Sequence, residues 1–257
     1  MPEFTSYIQG TPSWVELMTP DQKAGAQFYS ELFGWEMAES PIDEQNVYLQ
    51  GTIGETRIAG IMGQMPELAG HPAFWGVYLA VDDVDAVTAK IEPAGGKVEA
   101  GPFDVMTAGR MTALQDPTGA RVNLWQAKDH VGTGIANEPG TPTWNELVTP
   151  DPDTALAFYA EVVGMGRQAS QNVGDYITIT NVAGDVVGGA TKPMMEGQPP
   201  HWNVYFAVAD ADATAAQVEA LGGTTVAPNF DVEGIGRMGF YADPQGAIFG
   251  IISNAAA

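Results

Sequence analysis

Residues 11–21 read TPSWVELMTPD, and residues 141–151 read TPTWNELVTPD. The likeness continues downstream of both. Phe28-Tyr29 answers Phe158-Tyr159, Gly34 answers Gly164, and Gly95-Gly96 answers Gly222-Gly223. FDV at Phe103 returns at Phe230, Gly109-Arg110-Met111 returns as Gly236-Arg237-Met238, and DPTGA from Asp116 returns as DPQGA from Asp243. Self-similarity in one order along the chain marks a duplicated architecture. Between the copies lies AKDHVGTGIANEPG, rich in Gly and without periodicity. The expected organisation is a first domain over residues 1–127, a linker over 128–140 and a second domain over 141–257.

Each copy subdivides again. Trp14–Thr19 alternates as a half-buried strand does, with Trp14, Glu16 and Met18 on one face and Val15, Leu17 and Thr19 on the other. A helix should follow, with Thr19 as N-cap, Pro20 at the first helical position and Asp21 near the positive end. Its expected apolar stripe is Ala24, Phe28 and Leu32, and Gly34 suits the C-terminal stop. In the second copy Thr149, Pro150, Asp151, Ala155, Phe158, Val162 and Gly164 repeat the pattern. A hairpin-like stretch from Val47 is matched by one from Asp175. Then the cycle restarts, with a strand over 75–81, a helix over 83–91 and short strands near Val98, over 109–115 and over 121–125. Asp116-Pro117-Thr118-Gly119 has the composition of a type I turn. Strand–helix–strand–strand–strand is therefore written four times.

Composition excludes several functions. The chain has 257 residues, with 10 Lys+Arg against 32 Asp+Glu and a formal net charge of −22. Phosphate backbones and anionic lipid surfaces require clustered bases, which no window supplies. No nucleic-acid or membrane partner is therefore expected, and no apolar run approaches the ~18 residues of a membrane span. The opening MPEFTSYIQG has neither the basic nor the apolar region of a secretory signal, so a cytoplasmic location is expected. There is no cysteine, hence no disulfide framework, thiolate nucleophile or thiolate metal ligand.

The succession WVELMTPD…FYSELFGW, WGVYLAVDDVD, AGG and DPTGARVNLW resembles the vicinal oxygen chelate superfamily of glyoxalase I, extradiol dioxygenases and bleomycin- and fosfomycin-resistance proteins. The YIQGTPSWVEL opening and tandem layout are similar to actinobacterial two-domain members labelled "hydroxylase" or "glyoxalase-like", a culture-filtrate antigen among them. The resemblance implies an α+β fold of four βαβββ modules, whose curved mixed sheets pair to enclose cavities. It also implies a His or Glu at defined strand positions wherever a member holds a metal. Those positions fall on Trp14 and Trp144, at or near Gly76 and Asn203, on Ala59, Gly60, Gly188 and Gly189, and on Asn123 and Gly250. None offers the imidazole or carboxylate that a divalent transition metal needs. No cofactor and no metal site at these positions are expected.

Other donors exist. His71 and His201 precede strands in Pro-rich connections, and His130 lies in the linker. Glu16 and Glu146 share a face with the paired Trp residues. They are either internal scaffolding, hydrogen-bonded to a neighbour, or acid–base groups whose pKa burial would have to raise. Strand parity selects an inward set of Trp14, Glu16, Tyr78, Arg121, Asn123 and Trp125 in the first copy. In the second it selects Trp144, Glu146, Asn203, Tyr205, Ile248 and Ile252. Arg110 and Arg237, in equivalent strands, are expected at a cavity rim. For the aromatics, core packing and the wall of an apolar slot are both open readings. The Gly-rich stretches read as turns, since they lack the strand-to-helix setting of a phosphate loop.

The expected function is binding of a small hydrophobic or aromatic molecule without a metal, for sequestration, resistance or assistance to an oxygenase. The alternative is an enzyme of the superfamily, lyase, hydroxylase or dioxygenase-like, with an unconventional metal site or none and Glu16 or Glu146 as catalytic base. Because modules pair within one chain, a monomer is expected.

Overall fold

The computed structural model describes residues 3–43, 46–65, 70–169 and 176–254. The first half runs β1 (Pro12–Thr19), α1 (Gln22–Phe33), β2 (Glu36–Pro41), β3 (Val47–Ile53), β4 (Thr56–Gly63), β5 (Phe74–Ala80), α2 (Val84–Ile91), β6 (Lys97–Val105), β7 (Gly109–Gln115) and β8 (Arg121–Ala127). The second repeats it as β9 (Pro142–Val148), α3 (Pro152–Val162), β10 (Gly166–Ala169), β11 (Ile177–Thr180), β12 (Val186–Thr191), β13 (His201–Ala207), α4 (Ala211–Ala220), β14 (Thr224–Val232), β15 (Gly236–Ala242) and β16 (Ile248–Asn254). The hairpin expected from Asp175 begins, among the described residues, at Ile177; Asp175 itself lies outside them.

Each half forms one eight-stranded mixed sheet. The order is β2-β3-β4-β1-β5-β8-β7-β6 in the first and β10-β11-β12-β9-β13-β16-β15-β14 in the second. Two modules therefore join edge to edge through the antiparallel pairs β1–β5 and β9–β13. The sheets stay open, with β2 and β6 at the edges of one and β10 and β14 at the edges of the other.

The helix starts differ from the expected caps. Asp21 and Asp151, not the preceding threonines, cap α1 and α3. Asp21 Oδ1 accepts from the Lys23 and Ala24 amides at 3.1 and 3.0 Å, and Asp151 accepts from Thr154. An aspartate can both cap and complement the helix dipole, which settles the competition in its favour. Ala24 consequently faces solvent, and the buried stripe of α1 is Gly25, Ala26, Phe28, Tyr29 and Leu32.

One core spans the chain. Val15, Leu17, Val77, Leu79 and Leu124 of the first sheet cluster with Leu147, Val204, Phe206 and Ile251 of the second and with residues of the helices. Polar pairs lock it reciprocally. Tyr29 on α1 donates to Asp243 Oδ2 at 3.2 Å, while Tyr159 on α3 donates to Asp116 Oδ2 at 3.1 Å. Trp75 and Trp202 each donate an indole N–H to the tyrosine of their own half, at 2.9 and 3.0 Å. The other oxygen of Asp116 accepts from the Thr118, Gly119 and Ala120 amides and so shapes its turn. The FY and DPxGA motifs that betray the duplication are thus the seam between its two copies. No helix among the described residues is long and apolar enough to cross a membrane.

Candidate functional site

The sheet faces turned away from the helices carry the candidate residues. Register aligns Glu16 with Gly60 on one side and Gly76 on the other, and aligns Trp14 with Tyr78 and Tyr78 with Asn123. In the second sheet Glu146 aligns with Gly189 and Asn203, and Tyr205 with Trp144 and Gly250. Alternation therefore brings Trp14, Glu16, Tyr78 and Asn123 onto one face, and Trp144, Glu146, Asn203 and Tyr205 onto its counterpart. Trp125 joins Trp14 and Tyr78 in a small cluster separate from the main core.

A tyrosine that parity alone did not bring in completes each face. Tyr48 donates to Glu16 Oε2 at 2.6 Å and accepts the Trp14 indole N–H at 3.0 Å, while Tyr78 donates to Glu16 Oε1 at 2.9 Å. In the second half Trp144 donates to the Tyr176 hydroxyl at 2.8 Å, and Tyr205 and Asn203 donate to Glu146 Oε2 at 2.8 and 3.3 Å. The signal for this was Tyr48 and Tyr176 at matched positions of the repeated hairpin. Each tyrosine crosses its sheet over a glycine. A Cβ on Gly60 would lie 2.0 Å from the Tyr48 oxygen, and one on Gly189 would lie 1.9 Å from that of Tyr176.

The electrostatics follow from burial. Desolvation raises the pKa of Glu16 and outweighs the two phenolic hydrogen bonds that favour its charged form. Tyr48, Tyr78 and Tyr205 are pushed well up by burial and then by the neighbouring carboxylate. These phenols keep their protons at neutral pH and act as donors. Both Glu16 oxygens are spoken for, which is the scaffolding arrangement.

The remaining candidates go elsewhere. Arg110 pairs with Asp85 on α2 through two bonds of 2.8 Å, and Arg237 pairs with Asp212 on α4 and with Asp231. Both turn to the helix side, away from the faces, because each alternates with the inward-facing Met111 or Met238. Arg121 pairs with Glu99 at the start of β8, and Ile248 is exposed at the equivalent start of β16. His201 stands at the rim of the second face. Its Nε2 contacts Asn203 Oδ1 at 3.0 Å, so that a chain of hydrogen bonds runs from His201 through Asn203 to Glu146.

The two faces differ in what covers them. The linker crosses the first. His130 is buried there, its ring edge-on to Trp14 with centroids 4.4 Å apart, and its carbonyl accepts the Trp125 indole N–H at 2.9 Å. Beyond it, the Thr133 amide donates to Ser13 O and the Gly134 amide to Arg57 O, at 2.7 and 2.8 Å. Trp14 is left 4% exposed, whereas Trp144 is only half-buried. Among the described residues nothing equivalent to His130 lies on the second face. Half-buried Met238 and Phe240 and buried Ile252 extend that face beside Tyr205.

A model of the Glyoxalase/Bleomycin resistance protein/Dioxygenase superfamily matches residues 11–124, and one of a Glyoxalase-like domain matches residues 145–252. CFP32 of Mycobacterium tuberculosis, which carries a provisional glyoxylase name, is 46% identical over 99% of both chains. The chain belongs to the glyoxalase/bleomycin-resistance/dioxygenase superfamily. The anthracycline biosynthesis protein DauV of Streptomyces sp. (strain C5) is 34% identical, covering 96% of this chain and 94% of its own. Among solved structures, an Mn(II)-bound glyoxalase from Novosphingobium aromaticivorans superposes with a TM-score of 0.65 at 15% identity, covering 96% of this chain and 82% of that one. The 2,3-dioxygenase LapB from Pseudomonas sp. KL28 gives 0.65 at 14%, covering 97% and 94%. At such identities these two share the fold.

Metals are used within this superfamily, as the Mn(II)-bound glyoxalase illustrates, so the donor set decides whether these faces suit one. Each face presents one carboxylate, already bonded to tyrosine. Among the described residues no three His, Asp or Glu side chains converge. Indole, amide and glycine at the surrounding positions are not transition-metal ligands. The residues do not fit a superfamily-type metal centre.

Proposed function

We propose that the protein binds a small, planar, largely apolar aromatic molecule on the face of its second half, without a metal ion of its own. The observation that carries this reading is the contrast between the faces: the same Trp–Tyr–Glu–Tyr frame is sealed by the linker in one half and left accessible in the other. Aromatic walls with a few convergent polar groups are the usual make-up of such sites. The Tyr176 and Tyr205 hydroxyls, the Asn203 amide and Glu146 supply the polar part. A net charge of −22 favours neutral or cationic ligands over anions. Relatives named for anthracycline biosynthesis suit a polycyclic ligand, held for sequestration or resistance, or passed to an oxygenase. Because its modules pair internally, the chain acts as a monomer, and light scattering should return 27.1 kDa.

Isothermal titration against a panel of planar polycyclic aromatics tests the binding reading. A saturable heat at micromolar ligand, weakened at least tenfold by Glu146→Gln, is expected. No binding tighter than about 1 mM across the panel, or stoichiometric iron, zinc or nickel in protein purified without chelator, overturns it. The second reading is an enzyme in which Glu146 takes a proton from bound substrate, favoured by the chain of hydrogen bonds that links it to His201 at the rim. Turnover of a bound aromatic by wild type, with binding but no turnover in Glu146→Gln, selects it.

A further inference from the structure

In the first half, strands β1 and β4 pair in parallel only from Glu16–Gly60 onward. Before that point they part, and the linker enters the gap. Thr133 bonds Ser13 O through its amide and Ile58 O through its hydroxyl, Gly134 bonds Arg57 O, and the His130 ring sits between Trp14 and Trp125. Arg57 donates to His130 Nδ1 at 3.4 Å.

The same register places the matching gap of the second half between Thr143–Trp144 and Val186–Val187, since Glu146 pairs with Gly189 as Glu16 does with Gly60. There a groove of about 500 Å³ opens, walled by those four residues and by Phe4 and Ile8 of the N-terminal segment, and reaching Ser13, Trp14 and Val15 at the start of β1. Val186 replaces Arg57, and among the described residues Asp185 is the only charged one in the groove's lining. Asn145, also lining it, stands where the first half has the core residue Val15. Its Oδ1 is buried without a hydrogen-bond donor.

We infer that this groove is a subsite for a neutral or cationic planar heteroaromatic ring bearing an N–H or O–H donor, in the position that the chain's own His130 holds in the first half. The inference rests on the proposed function and deepens it, for the molecule itself shows which chemistry the frame accepts. An aromatic ring goes edge-on to the strand-one tryptophan, as His130 does. The exchange of Arg57 for Val186 removes the donor that met the ring nitrogen in the first half. Asp185 and Asn145 supply acceptors instead, so a ring carrying its own donor is favoured and an anionic ring is disfavoured.

Benzimidazole serves as probe, with benzoate as the anionic control, read by the indole N–H signals of 15N-labelled protein. The Trp144 signal is identified from Trp144→Phe. Benzimidazole should shift the Trp144 signal saturably, while benzoate leaves it in place. Val186→Trp fills the groove from an exposed position and should weaken the probe at least tenfold with an unchanged melting temperature. Should that variant unfold, Val186→Phe, a smaller filler of the same groove, provides the same comparison. Shifts confined to other tryptophans, or equal affinities in wild type and the Val186 variants, overturn the inference. If the polycyclic panel still binds and Glu146→Gln still weakens it, only the subsite is lost. If neither probe nor panel binds, both readings fall.

Discussion

Replacing His130 offers a quantitative test of the sealed first face. Burial, with a smaller contribution from the nearby Arg57 charge, pushes the imidazole pKa down from 6.5 to about 4. Above pH 6.5 the ring is neutral in both the folded and the unfolded chain. As the pH falls from 6.5 toward 4, the unfolded chain binds a proton that the folded chain refuses, so stability is lost across that window. With those two values the loss is about 2 kcal/mol at pH 5 and approaches about 3.4 kcal/mol below pH 4. Glu16 and Asp243, whose pKa values burial raises, act in the opposite sense. Their stabilisation is present at low pH and lost as pH rises, and it cancels when two proteins that both retain them are compared.

The comparison is between wild type and His130→Phe, which keeps a ring against Trp14 and Trp125 and cannot titrate. Urea unfolding at pH 7.5 and 5.0, followed by tryptophan fluorescence, gives the loss for each. Wild type should lose about 2 kcal/mol more than the variant. If the strap lifts locally before the protein unfolds, the same protonation is read as faster proteolysis within residues 128–140 at pH 5, again only in wild type. Identical pH dependence in both proteins by both measures would mean that His130 is not sealed between the tryptophans, and the assignment of the first face as closed would fail.

The seam between the copies is tested by Tyr159→Phe, which leaves Asp116 Oδ2 and the Trp202 N–H without their partner. It should cost about 1–3 kcal/mol in urea unfolding, and Tyr29→Phe should match it. The crossing over glycine is tested by Gly189→Ala, which displaces the Tyr176 hydroxyl. A destabilisation of about 1–3 kcal/mol should be accompanied by weaker binding of the aromatic panel in calorimetry, whereas Gly60→Ala should destabilise similarly and leave binding unchanged.

The duplication, the order of elements and the inward residues other than Arg121 and Ile248, which stand at strand starts, were legible because they rest on identity and on parity, both local properties of a sequence. Arg110 and Arg237 were misplaced although parity could have corrected them, since each neighbours a methionine that faces the opposite way. The capping role of Asp21 was obscured by Thr19-Pro20, a plausible cap two residues early. Tyr29 and Tyr159 read only as half of a repeated Phe-Tyr pair, and Asp116 and Asp243 as turn residues. Their meeting needs the two halves in contact, which no window of sequence contains. The linker was the least legible element. Its Gly, Ala and Thr residues carry no period, and its hold on the first sheet runs largely through backbone amides bonded to Ser13 and Arg57, which any sequence could supply.

The pattern of likeness between the copies follows the use each makes of a residue. Positions that build the seam or the Trp–Tyr–Glu–Tyr frame are identical in both halves. Positions around the frame have diverged: Gly76 and Asn123 face Asn203 and Gly250, Trp125 faces Ile252, and Arg57 faces Val186. An unused copy would be free to drift in its frame as well. Retention of that frame beneath a strap argues that the first copy is kept as a rigid anchor whose tryptophan holds the linker, while the second copy keeps its tryptophan for a ligand. The two tryptophans should then fail in different ways. Trp14→Phe removes the indole bond to Tyr48 and the edge contact to His130 and should lower stability by about 1–3 kcal/mol, with aromatic binding intact. Trp144→Phe, at a half-buried position, should cost well under half of that and weaken aromatic binding at least tenfold. If both substitutions weaken binding alike, the copies are equivalent, and the division of labour between anchor and site is wrong.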